Sequence, residues 1–169
     1  MASEAPTSAT SPWTPFSQPV FRALWIASLA SQVGTWMHGV GAAWLMTSLA
    51  ASPLLVALVQ TATSAPLFVL AIPAGALADI LDRRKLLLAT QLWMLAAAAS
   101  MAAVTYWGVM TPGALLALTA ALAVGAGFNA PAWQATTPDL VPRSDLPNAV
   151  ALNGMLINLS RVIGPALGG

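Results

Sequence analysis

The sequence predicts an all-α membrane protein of about five spanning helices, and three observations carry that expectation. Of the 169 residues, 58% are hydrophobic and 7% are charged, whereas an ordinary soluble domain carries roughly a quarter charged residues. The apolar residues fall into runs of about 20 or more, the length that crosses a bilayer as a helix. The few charges gather at the links between runs, not along helix faces. A net charge of +1 gives no basic face for nucleic acid and no acidic tail. The absence of cysteine excludes disulfides, thiolate metal sites and cysteine nucleophiles, and no cofactor is expected.

Residues 1–19 hold four prolines and seven Ser or Thr, a composition expected to form a disordered tail. No basic segment leads into an apolar core there, so a cleaved signal peptide is not expected. The transmembrane bundle is expected over residues 20–169, with spans at about 21–46, 53–79, 84–107, 112–136 and 146–169. The first span is the most polar. Ser31, Thr35 and His38 step by four and three along one face, with Ser28 and Gln32 beside it. A polar stripe in a spanning helix faces protein or water. For His38 two readings stand: a neutral imidazole bonded to a neighbouring helix, or a substrate contact or proton carrier.

The second span contains Pro66 and Pro73, which interrupt its backbone ladder. The third is alanine-rich in its middle and ends in Tyr106 and Trp107, an interfacial aromatic pair. In the fourth, Ala117, Ala121 and Gly125 recur every four residues, the small-residue spacing that lets helices approach. In the fifth, Gly154, Asn158, Arg161 and Pro165 share a face. Arg161 lies about 22 Å along that helix, where an unpaired arginine costs about 2.5 to 3.5 kcal/mol on insertion scales. It is read either as a functional or gating partner or as a structural arginine that snorkels or bonds carbonyls.

The densest charge lies between the second and third spans, in Gly75-Ala-Leu-Ala-Asp79-Ile-Leu-Asp82-Arg83-Arg84-Lys85. Asp79 sits at a helix C-terminus, where the helix dipole disfavours an anion. Arg83, four residues on, would answer it if the helix continued that far. Arg143, Asp139 and Asp145 mark the fourth-to-fifth link, and the other two links are uncharged. By the positive-inside rule the N-terminus and both charged links are expected on the cytoplasmic side.

The hairpin Gly75–Lys85 resembles the signature loop between the second and third helices of the major facilitator superfamily. The resemblance implies a cytoplasmic gate motif of Gly75, Asp79, Arg83 and Arg84 that braces two halves of a transporter. Ile80 stands where a basic residue is usual and Asp82 where a glycine is usual. Gly164-Pro165-Ala-Leu-Gly168-Gly169 is similar to the Gly-Pro-x-x-Gly-Gly signature of superfamily exporters, which implies a helix-five hinge. Together with the Gly-Thr-Trp-Met run, Thr47 to Pro53, and Val141-Pro142-Arg143 onward, the chain resembles the enterobactin-exporter-like, transmembrane secretion effector branch over residues 21–169. The fourth span lacks the arginine that antiporters of the superfamily often carry, which counts against standard proton antiport.

The resemblance implies the N-terminal part of a 12-helix fold, truncated in helix five and partnered by a missing C-terminal half of the same protein. It further implies a secondary transporter in the bacterial inner (plasma) membrane, exporting small hydrophobic or siderophore-like compounds by alternating access. Ser31, Gln32, Thr35, His38, Asn158 and Arg161 are the substrate-binding or coupling candidates, with protons a candidate coupling ion. An intramembrane enzyme is not expected, since one histidine without a mid-span acid assembles no catalytic set. The alternative is a non-transporting membrane scaffold or regulator.

Overall fold

A computed structural model of the chain describes residues 11–50 and 52–169. Five long helices account for most of them: α1 Pro19–Leu49, α2 Pro53–Ile80, α3 Arg83–Tyr106, α4 Pro112–Leu140 and α5 Leu146–Gly168. The local chemistry sets their ends. Pro19, Pro53 and Pro112 each open a helix, a position where a missing N–H costs nothing. The Thr111 hydroxyl caps α4 by accepting from the Ala114 N–H at 3.2 Å. Leu81 is extended and ends α2. Gly108, with φ +69°, turns the chain after α3.

By length and composition α2, α3, α4 and the segment Arg143–Gly168 can each cross a membrane. At 31 residues α1 is longer than any of them, and its polar stripe keeps it from matching their apolarity. Large apolar side chains such as Phe68, Ile72 and Trp107 point outward, as they do where lipid is the solvent.

Neighbours in sequence are mostly not neighbours in space. The dominant seams are α2 on α4, α1 on α5 and α3 on α4, while α2 and α3 barely touch despite their two-residue link. Exchanging α1 with α4 and α2 with α5 maps the first two seams onto one another, the relation expected of a repeated unit.

Two apolar clusters hold the ends. One joins Phe21 and Trp25 of α1 to Val141, Ala149, Leu152 and Leu156 near the α4–α5 link. The other joins Ala42 and Met46 to Val59, Met110 and Leu115 at the opposite end. The polar groups of the bundle lie between them.

The tail expectation is corrected for the part described. Thr14–Ser17 forms a 3-10 turn with Pro15 buried. Phe16 packs edge-on against Trp25, 5.1 Å between ring centres, and also touches Phe21 and Trp13. A Pro-rich, Ser-rich composition argued for disorder, but the spaced aromatics provide the apolar surface that composition alone undervalues. Residues 1–10 of that tail lie outside the described residues.

Candidate functional site

At the charged end, α2 stops at Ile80 and α3 starts at Arg83. Asp82 caps α3, its Oδ1 accepting from the N–H groups of Arg84 at 3.0 Å and Lys85 at 3.2 Å. The carboxylate therefore offsets three cations crowded on the positive end of a helix dipole. It occupies the position where the family pattern has glycine.

Arg83 does not answer Asp79. The break at Leu81 and Asp82 takes it out of the i, i+4 register and places it in the first turn of α3. Its Nη1 instead donates to Asp139 Oδ2 and to the Ala135 carbonyl, both at 2.8 Å, at the C-terminal end of α4. A guanidinium there is favoured by the helix dipole. Both partners are substantially exposed, so the pair contributes about 1 kcal/mol or less. Its value is geometric, tying the start of α3 to the end of α4. Among the described residues Asp79 and Arg84 are in no ion pair.

Inside the bundle, α1 presents Ser31, Gln32, Thr35 and His38 to two adjoining cavities. The larger, about 820 Å³, is bounded by α1 to α4 and is mostly apolar, with Leu67, Leu95, Met101 and Leu122 on its walls. The smaller, about 510 Å³, is bounded by α1, α3, α4 and α5. Ser31, Thr35, Gln91, Met94 and Ala126 belong to both, so the two are continuous. His38 Nε2 lies 3.4 Å from the Thr119 hydroxyl of α4, which gives the imidazole a neighbouring-helix partner. The Thr35 hydroxyl donates to the Ser31 carbonyl in its own helix.

Asn158 and Arg161 line neither cavity. The Asn158 amide donates to the Gly154 carbonyl one turn back. Arg161 lies with its guanidinium over the Trp36 ring, 5.6 Å from the ring centre, a cation–π contact.

Several wall residues escaped the sequence reading: Gln91, Thr119, Asn129, Gln134, Thr137 and Asn153. The Thr90 hydroxyl donates to Asn129 at 3.1 Å, and the Asn153 amide donates to Thr137 at 3.2 Å. Asn129, Trp133 and Thr137 recur every four residues, and that period was the available signal.

The glycine signature of α5 lies against α1. A Cβ on Gly164 would collide with Trp36 Cβ and stand 2.9 Å from the Val33 carbonyl, while one on Gly168 would stand 3.1 Å from Met37 Cα. The helix runs unbroken through Pro165 to Gly168. In the α3–α4 seam, Gly125 makes room for Met94 and Trp93, and the Trp93 indole donates to the Ala121 carbonyl at 2.7 Å.

Comparisons with known proteins converge. The family model described as transmembrane secretion effector matches residues 10–169. The chain is 28% identical over 138 residues to the staphyloferrin A transporter of Staphylococcus aureus, covering 81% of this chain and 35% of that protein. It is 28% identical over 162 residues to the uncharacterized MFS-type transporter YfiS of Bacillus subtilis, covering 90% and 37%. To macrolide efflux protein A of Streptococcus pyogenes it is 22% identical over 147 residues, covering 87% and 36%. No solved structure matches. The chain spans just over a third of the length of these relatives. With five interleaved helices, a charged hairpin between α2 and α3 and a family match over nearly its whole length, the chain belongs to the transmembrane secretion effector family of the major facilitator superfamily, whose members are membrane transporters and not enzymes.

Proposed function

We propose that this chain forms one wall of a secondary exporter for small hydrophobic or siderophore-like compounds, which moves them by alternating access together with the rest of a longer protein. The observation that carries this is the pair of continuous cavities in mid-bundle, with a combined wall of apolar side chains, hydroxyls and carboxamides and no Asp, Glu, Lys or Arg. Such a wall suits an amphiphilic solute. The named relatives, a staphyloferrin A transporter and a macrolide efflux protein, support a small-molecule transporter.

In this reading the hairpin lies on the cytoplasmic side of the bacterial inner membrane, with the N-terminus on the same side. Arg83 holds α3 to α4 through Asp139, leaving Gly75, Asp79 and Arg84 exposed or nearly so for the moving half. Ser31, Gln32, Thr35 and His38 contact substrate, and His38 is the imidazole on the cavity wall through which proton coupling would act. The close α1–α5 crossing at Gly164 and Gly168 is the stiff element about which the bundle rocks. The decisive experiment is efflux by the complete transporter in everted vesicles. Asp79→Asn is expected to reduce the rate about tenfold or more by loosening the inner gate. Unchanged efflux in Asp79→Asn would refute the gate assignment.

A further inference from the structure

We infer that the solute is held lengthwise across the two cavities, its hydrogen-bonding end towards the α4–α5 link and its apolar end towards the α3–α4 link, with Ala126 setting the width of the passage between them. The solute class is then an elongated amphiphile with two unlike ends. The inference deepens the transport reading above and rests on it.

The cavities are stacked along the bundle. The smaller draws on α4 from Ala126 to Pro138 and on α5 from Leu146 to Ile157, so it lies towards the end where α4 passes into α5. The larger draws on α4 from Thr119 to Ala126 and on α3 from Gln91 to Tyr106, the last residue of that helix, so it lies towards the opposite end. Between Thr119 and Pro138 α4 rises about 28 Å.

The two walls offer different chemistry. Gln32, Gln91, Asn129, Gln134 and Asn153 bring five carboxamides to the smaller cavity, and of these only Gln91 also lines the larger. Two are held in place by hydroxyls, Asn129 accepting from Thr90 and Asn153 donating to Thr137. A carboxamide both donates and accepts, so this wall suits amide and hydroxyl groups. In the larger cavity Leu67, Leu95, Met101 and Leu122 supply apolar surface. Several hydroxyls there turn back on their own helices. Thr35, Thr63 and Thr105 donate to the carbonyls of Ser31, Val59 and Met101 at 3.0, 3.0 and 2.8 Å. That wall suits a hydrocarbon or aromatic end.

Ser31, Thr35, Gln91, Met94 and Ala126 line both cavities and so frame the passage. Ala126 carries the smallest side chain of the five. Its neighbour Gly125 lets Met94 of α3 close on α4, so a larger side chain at 126 has to project into the passage.

The test is photolabelling of the complete transporter in nanodiscs with N-(2,3-dihydroxypropyl)decanamide carrying a diazirine at carbon 9 or at carbon 3 of the acyl chain. Labelled peptides are mapped by mass spectrometry, and only labelling suppressed by excess unmodified amide is counted. The carbon-9 probe is expected on Leu95, Met101 and Leu122, and the carbon-3 probe on Trp133 and Ile157. A reversed pattern, or the same pattern from both probes, overturns the lengthwise pose and leaves the transport reading standing. No suppressible labelling in either cavity overturns the pose and the cavity-based reading together. Binding of the unmodified amides is read from the concentration that suppresses Trp133 labelling. Ala126→Phe should weaken the decanamide about tenfold, the worth of roughly two buried CH₂ groups. It should weaken N-(2,3-dihydroxypropyl)butanamide, short enough for the smaller cavity alone, less than about twofold. Equal losses for the two amides, or none for either, overturn the role of Ala126.

Discussion

The α1–α5 and α2–α4 seams are equivalent by the internal exchange of helices, yet they are packed differently. In α1–α5 the backbones close on one another at Gly164 and Gly168, and the Trp25 indole donates across the seam to the Leu152 carbonyl at 3.1 Å. In α2–α4 the corresponding helices leave an apolar groove of about 610 Å³ between Leu58, Pro66 and Val69 on one side and Ala117, Ala120 and Val124 on the other. A Cβ on Gly127 there would meet Leu67 and Leu70 only at 3.6 and 3.7 Å, ordinary van der Waals contact. The difference teaches that repeat symmetry fixes which helices meet, while the placement of small residues fixes how firmly. Close packing without voids resists deformation, so α1 and α5 should move as one piece and α2 against α4 should give more readily.

The comparison is most easily broken at Gly164. Gly164→Ala places a methyl group on the Trp36 Cβ and against the Val33 carbonyl, and backbone cannot step aside. A loss of about 1 to 3 kcal/mol is expected, read as a lowered unfolding midpoint in detergent. A variant as stable as the parent would mean the seam is looser than described. Trp25→Phe comes next. It keeps the ring against Phe16 and Leu152 but removes the indole donor, for an expected loss of about 1 kcal/mol and faster hydrogen exchange around Leu152. The smallest effect, and one of opposite sign, is expected at Gly127→Ala. The groove accepts a methyl, and alanine is the better helix former by about 1 kcal/mol, so the midpoint should hold or rise slightly. If Gly127→Ala destabilises as much as Gly164→Ala, the two seams are alike and the contrast falls.

Much of this architecture was legible from residue order. The helix bounds fall close to those expected from apolar runs, because prolines and glycines punctuate them, although α4 reaches Leu140 where the run was expected to end near 136. The polar face of α1 was legible for the same reason, a period of 3.6, and its members do line the cavities. Contacts between distant segments were not. Asp139 as the partner of Arg83 joins positions 56 apart, and nothing in local spacing marks it. The choice of Asp79 instead assumed one continuous helix, and the extended Leu81 defeats that assumption. Asn129, Gln134 and Asn153 stand among apolar neighbours, and only the crossing of α4 and α5 brings them to one wall. Asn158 shares the face of Gly154, yet its amide turns back to its own helix, since a short polar side chain can reach the carbonyl one turn back.

The 3-10 turn ahead of α1 changes what the beginning of this protein is for. Pro15 has no solvent exposure and Phe16 wedges against Phe21 and Trp25, while the Asn148 amide of α5 donates to the Ser11 carbonyl at 3.3 Å. Engineers who shorten the chain to the start of α1 would discard a wedge and would uncover the aromatic surface that fastens α1 to α5.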